Sequence, residues 1–111
     1  MRVCCFCPPA LRPKGTVLSY AAVAAHAAAC VAAMDLRSDD VWGHIAPLHH
    51  VVDAFALWAV TAVRGRHVVL GPRFEPGAVL AAIERERITA TNLASTMVRT
   101  HNLYIHVYLY R

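Results

Sequence analysis

The sequence is poor in charge and nearly without lysine. Only 16% of its 111 residues are charged, and Lys14 is the sole lysine among eleven basic side chains. The arginines are scattered from Arg2 to Arg111 and form no run, so the formal net charge of +4 is not gathered into a stripe. Nucleic-acid binding needs such a concentrated basic face, and no nucleic-acid partner is expected. No apolar stretch reaches the roughly 20 residues that cross a bilayer. Residues 20–34, almost all alanine and valine, fall short, as do residues 51–63, which Asp53 also interrupts. No transmembrane segment is therefore expected, and both stretches read as buried helices. The start, Met1-Arg2-Val3-Cys4-Cys5, lacks the continuous apolar core of a secretory signal. Internal repeats and low-complexity linkers are missing as well.

Cysteine is present but badly spaced for structural use. Cys4, Cys5 and Cys7 crowd together, and Cys30 stands alone in an alanine-rich segment. Adjacent cysteines rarely bridge each other, and without a secretory signal a reduced, intracellular (cytoplasmic) setting is expected. Cys-Cys-x-Cys is a poor match to the paired spacing of zinc sites, even when His26 or Cys30 is drawn in, and no metal ligand is assigned. S-acylation of the N-terminal cysteines is a further weak reading.

Apolar residues, by contrast, make up 58% of the chain, far too many for a disordered segment. That share is also high for a free-standing domain this small, most of whose surface meets water. The excess points to partners or to a larger protein whose remainder covers the apolar surface.

Strand and helix signals alternate from Thr16 onward. Thr16-Val17-Leu18 is extended, and Ser19 is placed to cap a helix over 20–34, where alanine supplies high intrinsic propensity. A polar loop over 35–40 precedes a strand over 41–46, closed by Pro47. A helix over 50–63 follows, apolar on both faces, with Trp42, Phe55 and Trp58 expected in the core. Gly65 falls where a helix end wants a left-handed residue. A strand over 67–70, an amphipathic helix opened by Pro76 and running to 87, and a β-branched strand over 88–93 complete the pattern. The fold class is α/β: alternating strands and helices forming part of a parallel sheet layered with helices. The two ends do not fit. Residues 4–11 show no periodicity, and Pro8-Pro9 is foreign to a central strand, while residues 99–111 are aromatic and β-prone without a cap or turn signal. The expected organisation is a non-matching segment over 1–11, a partial domain over 12–98 and a non-matching tail over 99–111.

Within that domain the stretch Arg12-Pro13-Lys14-Gly15-Thr16-Val17-Leu18-Ser19 closely resembles the end of the phosphate loop in the adenylate-forming (AMP-binding) superfamily. Four further stretches resemble segments of the same superfamily, in the same order. They are Ala46-Pro47-Leu48-His49-His50-Val51, Gly65-Arg66-His67-Val68-Val69-Leu70, Phe74-Glu75-Pro76 to Ile83-Glu84-Arg85-Glu86-Arg87, and Ile88-Thr89-Ala90-Thr91-Asn92-Leu93 with Thr96-Met97. The resemblance is to the acyl-CoA synthetase branch, and it implies a fragment of the large domain of such an enzyme. It implies ATP and Mg2+ as cofactors of the intact family, CoA as co-substrate, and a fatty or aromatic carboxylic acid as the molecule activated. By the same resemblance Lys14 and Gly15 are relics of an ATP-phosphate contact, and His50 lines the acyl and adenylate pocket. Asp53, three residues on, shares a helix face with His50 and could steady its imidazole, or could simply favour the helix N-terminus.

The phosphate loop departs from the family's pattern. Its glycines and hydroxyl residues are replaced by Pro8, Pro9, Ala10 and Leu11. Prolines have no N–H, and alanine and leucine have no hydroxyl, so the donors that cradle a triphosphate are gone. The resemblance further implies catalytic parts of the intact family that this sequence does not contain, and no catalytic residue is assigned. The expected activity of the chain by itself is therefore none. The alternative is an α/β interaction fragment or truncated gene product without enzymatic activity.

Overall fold

The computed structural model describes residues 2–5, 14–71, 73–95 and 97. β1 (Arg2–Cys5) and β2 (Lys14–Val17) form an antiparallel ribbon, with Arg2 opposite Val17 and Cys5 opposite Lys14. Part of the N-terminal segment thus has a regular partner, which the sequence pattern does not foretell. The rest of residues 1–11 and the tail over 99–111 lie outside the described residues.

Ser19 performs the expected cap on α1 (Tyr20–Met34): its hydroxyl oxygen accepts the Ala22 N–H at 3.1 Å. Such a bond satisfies one of the N–H groups that a helix start leaves unpaired. Then come β3 (Val41–His44), α2 (Val51–Ala62), β4 (Arg66–Val69), α3 (Pro76–Glu86) and β5 (Ala90–Thr91). Glu75 caps α3, its carboxylate accepting from the N–H groups of Gly77 and Ala78 ahead of Pro76 at the helix start. The three later strands make one parallel sheet in the order β4-β3-β5, as the alternation predicts. Their bounds are tighter than expected. β3 ends at His44, and Ile88 and Thr89 stay outside β5, where the Thr89 N–H reaches the Val41 carbonyl and its hydroxyl donates to Asp40.

The core lies between this sheet and α2. Leu36, Trp42, Ala56, Ala59 and Val60 form its buried cluster, with Cys30, Val31, Phe55 and Val63 packed around it. Trp42 meets Phe55 edge-on, centroids 6.0 Å apart.

Two expectations of burial fail. α1 buries only Ala27 fully, because alanine gives helix propensity without the large side chains of an apolar stripe. α2 is closed on the side facing the sheet and open on the other, where Leu57 and Trp58 are each 40% exposed. Trp58 is thus not a core residue.

The helix ends differ from expectation as well. α1, α2 and α3 all stop in the same way, with a left-handed residue followed by an N–H that reaches back five residues. Leu36 bonds the Val31 carbonyl, Gly65 that of Val60 and Ile88 that of Ile83. The left-handed residues are Asp35, Arg64 and Arg87, and none is glycine. Gly65 therefore sits one position past the left-handed site. It is there for space: a Cβ would lie 2.9 Å from Val60 Cγ1 and 3.1 Å from the Asp40 carbonyl oxygen.

Candidate functional site at the strand ends

Open parallel sheets bind ligands beyond the carboxyl ends of their strands, where loops diverge toward helices on the two faces. A cavity of about 470 Å³ occupies that position here. Ala46, Leu48 and His49 reach it from the β3–α2 loop, Leu70 from the end of β4, and Phe74 and Met97 close its far side. The wall is apolar with an imidazole at its edge, a combination suited to an organic molecule carrying one polar end.

His50 is the N-cap of α2, in extended backbone (φ −94°, ψ 141°), with no side-chain capping bond. Its ring is exposed and lies 4.3 Å, centroid to centroid, from that of His49, which lines the cavity together with His44, whereas His50 does not. Lys14 and Gly15 fall on β2, opposite Cys5 and Cys4.

Asp53 does not pair with His50. The carboxylate is fully buried, and Oδ1 accepts the Trp42 indole N–H at 3.1 Å while Oδ2 lies 3.0 Å from His44 Nδ1. His44, 2% exposed, continues the chain: its Nε2 is 2.8 Å from Nδ1 of His67. His67 Nε2 is 3.1 Å from the Thr61 hydroxyl, which donates to the Leu57 carbonyl at 2.6 Å. Five side chains from β3, β4 and α2 thus form one hydrogen-bonded line. Burial lowers the pKa of His67 from its usual 6.5, and the charge of His44 adds to that, opposed by Asp53.

Sequence reasoning missed His44, His67 and Thr61. The available signal was strand period: Trp42 and His44, two apart, face the same side of β3, and a histidine there needs a buried partner. Among the described residues no group of three or more histidine, cysteine or acidic side chains is placed to hold a metal ion.

Among the described residues no glycine has positive φ.

Comparison with known proteins settles the lineage. The model of the family described as AMP-binding enzyme matches residues 12–104. The chain belongs to that family. Feruloyl-CoA synthase from Amycolatopsis sp is 35% identical over 86 residues, covering 78% of this chain and 18% of its own length. Indoleacetate–CoA ligase from Aromatoleum aromaticum is 38% identical over 82 residues, or 74% of this chain and 16% of that enzyme. The fold of this chain superimposes on o-succinylbenzoate CoA synthetase from Bacillus subtilis in complex with its acyl-adenylate intermediate. The TM-score is 0.72 at 25% identity, over 87% of this chain and 25% of the synthetase. A second structure of that synthetase, with ATP and magnesium ion, gives 0.70 at 27% identity over 79% of this chain and 24% of that one. The chain thus spans about a fifth of the length of the CoA ligases it matches. No helix among its described residues is long and apolar enough to cross a membrane.

Proposed function

We propose that this chain carries the strand–helix core flanking the acid pocket of an AMP-forming acid–CoA ligase, and that by itself it activates no acid. In the complete reaction a carboxylate oxygen attacks the α-phosphorus of ATP, pyrophosphate leaves, and the thiol of CoA then displaces AMP from the acyl-adenylate. The observation that carries this reading is the apolar cavity at the ends of β3 and β4, edged by His49 beside His50. There the acid, fatty or aromatic, would lay its hydrocarbon against Leu48, Leu70 and Phe74, with His50 at the edge nearest its carboxylate. Lys14 and Gly15 are the remnant of the phosphate contact, while Pro8 to Leu11 have lost its donors. Removing even one preorganised donor costs an enzyme roughly 10²–10³ in rate, and several are missing here together. The reduced, intracellular setting is proposed on the unpaired spacing of the cysteines.

The test is ATP–pyrophosphate exchange with the purified chain across fatty and aromatic acids. No exchange above a no-enzyme control is expected. Exchange that disappears in Lys14→Ala would show that the chain is an active adenylating unit.

A second reading rests on the exposed Leu57 and Trp58 of α2. In it the chain is an interaction fragment that pairs with a full-length relative, and co-purification with that relative distinguishes the two.

A further inference from the structure

The line of side chains from Trp42 to Thr61 fixes its own hydrogens. The Leu57 carbonyl can only accept, so the Thr61 hydroxyl donates to it at 2.6 Å, and Thr61 Oγ1 must in turn accept from His67 Nε2–H. One hydrogen lies between His67 Nδ1 and His44 Nε2 at 2.8 Å, and one between His44 Nδ1 and Asp53 Oδ2 at 3.0 Å. The Trp42 N–H occupies the remaining Asp53 oxygen. Two neutral imidazoles and a carboxylate would hold two hydrogens between them, so the line holds one more and is electrically neutral as a unit. That neutrality is what permits a fully buried carboxylate and a nearly buried imidazole in the same core.

We propose that this Asp53–His44–His67–Thr61 line is an acid-sensitive clasp, closed while Asp53, His44 and His67 share three hydrogens and opened by a fourth. A fourth hydrogen makes both imidazoles cationic and sets N–H against N–H across the short gap between His44 and His67. The contact that joins β4 to β3 on the α2 side is then repulsive. Among the described residues, the groups from neighbouring elements whose charges act on His67 are His44 of β3, which opposes its protonation, and Asp53 of α2, which favours it. Desolvation adds to the opposition, so the fourth proton enters below the ordinary histidine value of 6.5.

The sign for stability follows. The unfolded chain takes up a proton on His67 near 6.5, the folded chain only at lower pH. Between those values the unfolded chain holds four hydrogens on these three groups and the folded line three, so stability falls as the solution is acidified below about 6.5. Above that value the unfolded chain holds two against three, so stability declines as the pH rises there as well.

His44 ends β3 and is also at the cavity wall, and β4 ends two residues after His67. Opening the clasp therefore frees both strand ends that shape the cavity. This consequence for the cavity rests on the acid-pocket reading, whereas the protonation scheme does not.

The test is long-range ¹H–¹⁵N correlation of the imidazoles in the ¹⁵N-labelled full chain, titrated from about pH 8 to about pH 5. At the neutral end, hydrogens are expected on Nδ1 of His44 and Nε2 of His67, with a third shared between the rings. Folding is followed in parallel by urea midpoints. Below about pH 6.5 the midpoint should fall with acidification, and most of that fall should vanish in His67→Phe, whose ring fills the site without titrating. His67 Nε2 without a hydrogen at neutral pH would overturn the scheme, as would a midpoint equally acid-sensitive in the variant. A chain with no dispersed spectrum at pH 8 overturns it too, because the clasp is then not formed. Should His67→Phe fail to fold, the hydrogen positions in the unaltered chain decide the matter alone. An unchanged exchange assay bears on the ligase reading and not on the clasp.

Discussion

α1 and α2 pack against each other and are both overwhelmingly apolar, yet they are held in different ways. α1 has 15 residues and fully buries one, Ala27. α2 has 12 and buries Asp53, Ala56, Ala59 and Val60 completely or nearly so. Composition does not separate them. Position does: α2 packs against both the sheet and α1, and its sheet-facing side mixes small residues for close approach with one carboxylate bonded to Trp42 and His44. α1 touches the core through Cys30 and Val31, sets His26 edge-on to Phe55, and is otherwise mostly alanine, with Tyr20 and Met34 exposed. The difference teaches that an apolar helix is not thereby a core helix, and that the residue tying α2 in place is its one acid.

This contrast can be broken at several points, each read as a shift in urea midpoint at constant slope. Asp53→Ala should have the largest effect, on the order of 3–5 kcal/mol, because it leaves the buried Trp42 N–H and His44 without their acceptor. A loss under about 1 kcal/mol would mean that the line from Trp42 to Thr61 is not formed. Ala59→Leu, overfilling a site with no exposure, is expected to cost about 1–3 kcal/mol. The same change at exposed Ala25 in α1 should stay within about 0.5 kcal/mol. Equal costs at the two alanines would erase the distinction between the helices. Ser19→Ala should remove about 1 kcal/mol through the cap of α1, and measured helicity should fall with it. Smallest of all, Trp58→Glu should move the midpoint by no more than about 0.5 kcal/mol, since the side chain is 40% exposed. A large loss there would place Trp58 in a packed interface.

Much of the parallel sheet was legible in the chain because its signals are local. β-branched runs, Pro47, Pro76 and the cap at Ser19 mark the alternation within short windows, and a parallel sheet follows from alternation alone. The failures come from distance in sequence. Asp53 and His50 are three apart and share a helix face, so local spacing pairs them. His44, nine residues away on another element, wins because α2 turns that face onto β3. His67 is a further 23 residues from His44 and joins only once β4 is laid in register beside β3. Trp58 was misplaced for a related reason: helical spacing shows which residues share a side, but not which side another element covers. Gly65 shows the limit of reading residue type alone, since a glycine can answer to crowding as well as to backbone angle.

The three left-handed helix ends have a practical consequence. Asp35, Arg64 and Arg87 each carry a Cβ in a backbone region that disfavours it, at φ values of 50°, 62° and 52°. The penalty is on the order of 1 kcal/mol at each, reduced by the extra freedom glycine brings to the unfolded chain. All three turns are exposed and stand apart from the cavity wall. Asp35→Gly, Arg64→Gly and Arg87→Gly therefore form a ready-made route to a sturdier version of this chain, in which the chemistry of the strand ends can be studied unaltered.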